Sequence, residues 1–121
     1  MKGINLKLGF YDWSIKMSER IAFRMKLNPG EGKEYEKRHD EVFPELAEAL
    51  KDAGVSDYSI WLDDETHHLF AILTRTDDHT LDALPDTEIC KKWWAFMADI
   101  METDENNVPT QIPLKRVFLL P

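Results

Sequence analysis

The order in which apolar residues switch between two-residue and three-to-four-residue spacing constrains this chain most. Ile21, Phe23, Met25 and Leu27 alternate with Ala22, Arg24 and Lys26, the pattern of a half-buried strand. Asn28, Pro29 and Gly30 end it, and from Glu31 the spacing becomes helical, with Tyr35, His39, Val42, Phe43, Leu46 and Leu50 recurring until Gly54 supplies the stop. Pro44 lacks the N–H that a helix interior needs and its ring crowds the Asp40 carbonyl, so a kink or a break is expected just after His39. Strand spacing returns over residues 57–62, with Tyr58, Ile60 and Leu62 on one face, and again over 67–74, which is apolar on both faces. A short helical piece over 77–84 leads to Pro85, and a stronger helix follows with Asp86 as its expected N-cap. Ile89, Trp93, Met97 and Ile100 form its main stripe, with Cys90, Trp94 and Met101 beside it. Residues 102–113 read as a polar loop, and 115–120 as a closing strand.

Strand, helix, strand, strand, helix, strand is the order of a ferredoxin-like α+β sandwich, βαββαβ. Both helices then cover one face of the sheet. Apolar residues on the other face need a second cover, and a second copy of the chain is the simplest one, which gives the expectation of a homodimeric α/β barrel. At 121 residues there is room for one core and no second catalytic domain.

The 23 acidic residues outnumber the 15 basic ones, for a net charge of -8, which argues against nucleic acid and anionic membranes as partners. The lone Cys90 forms no internal disulfide and suits a reducing, cytoplasmic setting. Lys7 and Asp12 interrupt the apolar residues near the N-terminus, so no signal peptide or membrane anchor is expected there.

Several side chains can carry chemistry. His39 follows Tyr35 by four residues, so both face the apolar side of their helix. An imidazole there either moves protons near neutral pH or is a core histidine satisfied by one hydrogen bond. Tyr58 can reach the same cavity, although a core tyrosine bonded to a carbonyl explains it as well. Trp93 and Trp94 point about 100° apart on a helix, so one indole can fill the core while the other walls a pocket. Bulky planar walls beside hydroxyl and imidazole groups suit sugars, which present apolar C–H faces together with polar rims. His67 and His68 near Asp63, Asp64 and Glu65 read as a charged turn rather than a metal site, because adjacent strand residues point to opposite faces. No Gly-rich phosphate loop, CxxC, GxSxG or HExxH occurs, and no cofactor is expected.

Four ordered segments resemble the L-rhamnose mutarotase family: EYEKRHDEVFPEL at 34–46, DYSIWLD at 57–63, ICKKWWAFM at 89–97 and VFLLP at 117–121. The resemblance covers about residues 20–121, with 1–18 left as an N-terminal extension expected to be peripheral or poorly ordered and 19–121 as the domain proper. It implies a dimeric ferredoxin-like barrel, interconversion of the α and β anomers of L-rhamnose, and no cofactor or metal. It also implies His39 as proton donor and Tyr35, Tyr58, Trp93 and Trp94 as substrate-binding residues. One departure is Phe43, where relatives often carry Trp. The competing readings are a cofactor-free monooxygenase on the same barrel and a non-catalytic sugar-binding module.

Overall fold

The computed structural model describes residues 17–121, so most of the 1–18 extension lies outside the described residues. The elements follow the order read from the sequence: β1 (Ser18–Lys26), α1 (Gly32–Asp40), α2 (Pro44–Asp52), β2 (Val55–Asp63), β3 (His68–Thr76), α3 (Glu88–Met97) and β4 (Ile112–Leu114). The four strands form one antiparallel sheet in the order β2-β3-β1-β4, the ferredoxin-like arrangement.

Strand register decides which side chains share a face. Ile21 pairs with Leu73, Phe23 with Ala71 and Met25 with Leu69. These residues, with Ile60, make the inner face, against which α2 and α3 bury Leu46, Trp93 and Met97. Burial of this apolar layer is the main stabilising term, at about 25 cal/mol per Å². The outer face carries Trp61, Phe70, Ile72, Ala22 and Leu114. Within a single chain β3 is therefore buried on one side only: Leu69, Ala71 and Leu73 are at most 2% exposed, whereas Phe70 and Ile72 are half-buried because no helix covers their side.

The long helical pattern does break at Pro44. Phe43, forced out of the helical region by the following proline, is extended at φ -56° and ψ 124°, α1 stops at Asp40, and Pro44 sits in the first turn of α2, where its missing N–H costs nothing. Gly54 ends α2 at φ 99°, a conformation that glycine adopts without strain.

Other expectations are corrected. The expected helical piece over 77–84 is a 3-10 turn at Leu81–Asp86 that contains Pro85. The cap of α3 is Thr87 rather than Asp86, its hydroxyl accepting from the Cys90 N–H at 3.3 Å. The fourth strand is Ile112–Leu114 rather than 115–120: Ile112 and Leu114 pair with Arg24 and Ala22, while the following Val117, Phe118, Leu119 and Leu120 are 58–89% exposed. Pro113 fits there because an edge strand has one side on which no N–H is needed. The polar stretch before it is an organised loop. Leu27 bridges Met101, Thr103 bridges Pro109, and the Asp104 carboxylate accepts from the N–H groups of Asn106 and Val108.

Candidate active site

Between the inner face and the helices lies a cavity of about 1420 Å³, and all five residues singled out from the sequence, Tyr35, His39, Tyr58, Trp93 and Trp94, line it. The i, i+4 spacing of α1 brings Tyr35 and His39 into a stack with centroids 4.2 Å apart. Trp93 meets the His39 ring edge-on at 5.2 Å and the Phe43 ring at 5.1 Å. Trp93 itself is 7% exposed, whereas Trp94, one position on, is half-buried at the cavity wall, as the angle between neighbouring helical residues dictates.

His39 Nδ1 lies 3.0 Å from the Tyr35 carbonyl oxygen. A carbonyl only accepts, so Nδ1 carries the hydrogen and donates it, and in the neutral ring Nε2 is left with its lone pair. Burial holds the imidazole pKa below its ordinary value, opposed by the bond to Tyr35 and the charge of Asp40. At neutral pH the ring is therefore an uncharged proton acceptor.

A β-bulge turns Tyr58 toward the same space. Between Ser56 and Ser59 the register against β3 slips, and Asp57 takes a positive φ of 49°. The extra residue lets Val55 and Ile60 both face inward, one on each side of the bulge. Asp57 is tied across the sheet to Arg20, 2.8 Å away. Tyr58 borders the cavity with 39% of it reached by solvent, and desolvation on its protein side pushes its hydroxyl up to about 12. Burial raises Tyr35 still further. Both phenols stay protonated and can donate. Cys90 lies close enough to Tyr58 to affect it, but burial pushes its thiol up to about 11, so it is an un-ionised packing group.

Two features were not read from the sequence. Val108 and Pro109, from the loop before β4, line the cavity. Arg38, next to His39, joins α1 to the end of α3 through Asp99. Among the described residues no group of three or more His, Cys, Asp or Glu side chains is placed to hold a metal ion. Around His67 and His68 the chain forms a turn in which the Asp63 carboxylate accepts from the Glu65 and Thr66 N–H groups.

The fold and site define a class: a ferredoxin-like α+β protein whose cavity sets one uncharged imidazole among phenols and indoles, groups that can hydrogen-bond and exchange protons with a small molecule. Comparison with known proteins narrows it. The model of the family described as L-rhamnose mutarotase matches residues 20–120. The L-rhamnose mutarotase of Brucella anthropi is 57% identical over 103 residues, 85% of this chain and 97% of its own length. That of Acidiphilium cryptum is 56% identical over 103 residues, 85% and 99% of the two chains. The crystal structure of an L-rhamnose mutarotase from Formosa agariphila matches with a TM-score of 0.79 at 50% identity, covering 85% of this chain and 99% of that one. The chain belongs to the L-rhamnose mutarotase family. A protein of B. thetaiotaomicron described as an antibiotic biosynthesis monooxygenase shares the fold alone, with a TM-score of 0.54 at 16% identity over 84% of this chain and 90% of its own.

Proposed function

We propose that the protein interconverts the α and β anomers of L-rhamnose by acid–base-assisted ring opening and reclosure, with His39 as the catalytic residue. The observation that carries this reading is the Nδ1–H bond from His39 to the Tyr35 carbonyl, which leaves Nε2 as a proton acceptor in an aromatic cavity. It agrees with the 57% identity to a protein named for that activity.

Mutarotation removes a proton from the anomeric hydroxyl and delivers one to the ring oxygen as the bond between C1 and that oxygen breaks. The open aldehyde then turns about C1–C2 and closes on its other face, so nothing is oxidised or reduced and no cofactor is needed. His39 Nε2 takes the hydroxyl proton and, as the imidazolium so formed, gives it to the ring oxygen, so the one ring serves first as acceptor and then as the proton donor, and the reverse transfers close the ring. Tyr35 and Tyr58, both protonated, donate to sugar oxygens, and Trp93 and Trp94 cover the apolar face and the methyl group of the 6-deoxy sugar. Trp94→Ala raises KM for L-rhamnose by about threefold to tenfold, the equivalent of roughly 0.5–1.5 kcal/mol of aromatic contact, with kcat little changed. Saturation-transfer NMR of anomer exchange checks this; an unchanged KM would remove Trp94 from the binding wall. Exchange rates compared across L-rhamnose, L-fucose and L-mannose test the sugar assignment itself.

The proposal extends to the assembly. The outer face exposes Trp61 at 64% beside its cross-strand partner Phe70, with Ile72 in the next rows and Leu114 on the opposite edge strand, and the chain continues into the exposed apolar stretch 117–120. Such a surface suits pairing with a second copy. Light scattering at micromolar concentration should give twice the 14.2 kDa chain mass, and Trp61→Arg should shift it toward one chain. A monomeric mass for the unaltered protein would contradict the homodimer. The catalytic domain then includes Ser18, the first residue of β1, one residue earlier than the expected start at 19. No described helix is long and apolar enough to cross a membrane. The free thiol of Cys90 supports a reducing, cytoplasmic setting, and the identity to L-rhamnose mutarotases supports a part in rhamnose metabolism.

A further inference from the structure

The helix that carries His39 is poorly fixed by its own resources. It has nine residues, a length that is marginal for an isolated helix, no side chain caps its N-terminus, and Tyr35 is its one buried residue. Among the described residues no other element packs its backbone extensively against α1. Only about two and a half turns separate its start from the break before Pro44. Something else must hold its last turn, where His39 sits, against α3, where Trp93 sits.

Arg38 supplies that hold. Its Nη1 donates to Asp99 Oδ1 at 2.8 Å and to the Phe96 carbonyl oxygen at 2.7 Å, its Nη2 to Asp99 Oδ2 at 3.2 Å, and its Nε to Glu34 Oε2 at 2.8 Å. The guanidinium carbon also lies 4.7 Å from the centre of the Phe96 ring. The side chain is 14% exposed although its carboxylate partners are open to solvent at 41% and 67%. Surface ion pairs contribute little individually, but a planar fork shared between one carboxylate and a backbone carbonyl of the same turn fixes direction as well as distance. Phe96 and Asp99 follow Trp93 by three and six residues, at the end of α3 and in the 3-10 turn after it. The fork therefore references α1 to the same structural unit that walls the site.

We infer that Arg38 is a positioning residue for proton transfer: through Asp99 and the Phe96 carbonyl it locks the last turn of α1 so that the His39 ring stays in its single tautomer against Tyr35 and Trp93. The inference rests on His39 as the acid–base group. Arg38 touches neither the imidazole nor the sugar; it acts through the backbone it holds. A displacement of about 1 Å in a reacting group is enough to cost about 100-fold in rate.

The test uses Arg38→Lys, which keeps the charge but loses the fork, and Asp99→Asn, at an exposed partner whose substitution leaves the core intact. In Arg38→Lys, kcat for L-rhamnose anomer exchange should fall at least about tenfold with KM within about twofold, and Asp99→Asn should show a smaller fall in the same direction. In both, the ¹⁵N NMR spectrum of the His39 ring should move from the Nδ1–H form toward a mixture of tautomers. That spectrum separates positioning from loss of folded protein, since a smaller folded fraction lowers rate without altering the ring signals of the molecules that remain. Wild-type kcat in Arg38→Lys, or a reduced kcat with an unchanged His39 spectrum, would overturn the inference. An inactive wild-type protein would refute the mutarotase reading instead, and the ring spectra would still decide whether Arg38 positions the imidazole.

Discussion

Replacing His39 with alanine lowers kcat for L-rhamnose anomer exchange by about 10²–10⁴-fold, the usual contribution of a positioned acid–base group, while the protein keeps its fold. The size follows from the fixed tautomer. With Nδ1–H committed to the Tyr35 carbonyl, Nε2 is the one imidazole nitrogen left to move a proton, and no second basic side chain takes part in the Tyr35, Trp93 and Phe43 ring cluster around it. The fold survives because the ring is half-buried and stacks at the edge of the core rather than filling its centre. The same residue sets the pH dependence. Burial lowers its pKa in the folded state, so the neutral, proton-accepting form persists below the ordinary histidine value near 6.5. Activity should hold from neutral pH down through that value and fall only at more acidic pH, and His39→Ala should abolish that acid limb. Stability moves the same way. Where the unfolded chain binds a proton on this histidine and the folded one does not, stability falls as pH drops below about 6.5 and levels off below the folded pKa. Rate–pH profiles and urea titrations at several pH values read the two effects separately; an activity midpoint above the ordinary value would contradict the burial argument.

Trp93→Ala should cost about 3–5 kcal/mol of folding stability, the usual range for deleting a buried aromatic ring. Trp93 is 7% exposed and packs against His39, Phe43 and Phe96 at centroid distances of 5.2, 5.1 and 5.8 Å. It also belongs to the main core with Leu46, Leu69 and Met97. Against the 5–15 kcal/mol typical of a single domain, such a loss is a large fraction of the whole. Urea unfolding followed by circular dichroism measures it. Trp94→Ala, at the half-buried neighbouring position, should cost clearly less. Equal losses at the two positions would mean that the division between core indole and cavity indole is wrong.

The contrast between neighbouring tryptophans shows how far the sequence carries. Helical geometry alone separates Trp93 from Trp94, and the four-residue step from Tyr35 to His39 alone puts both on one side of α1. Pro44 announces its break because ring sterics act locally. What depends on distant partners is less legible. The closing strand was expected at 115–120, where apolar residues are dense, but the free edge of β1 is filled by Ile112–Leu114, and Pro113 had disguised that short edge strand as loop. The bulge at Asp57 turns on a single extra residue, which shifts register against β3 without disturbing the alternation of Tyr58, Ile60 and Leu62. Arg38 shows both sides in one residue. Its pairing with Glu34 is written in their spacing, whereas its fork to Asp99 joins residues 61 apart and appears only once α3 has packed. The fixed tautomer of His39 is legible in part, because an i−4 carbonyl is within reach of any helical histidine, but the packing of Trp93 from α3 against the ring depends on a distant partner.

The most direct measurement is saturation-transfer NMR on L-rhamnose at equilibrium, with one anomeric signal irradiated and loss of intensity followed at the other. Catalytic amounts of the protein should accelerate exchange between the α and β signals well beyond buffer, in proportion to enzyme concentration, with His39→Ala returning the rate close to that of buffer. Exchange no faster with the wild-type protein than without it would contradict the account.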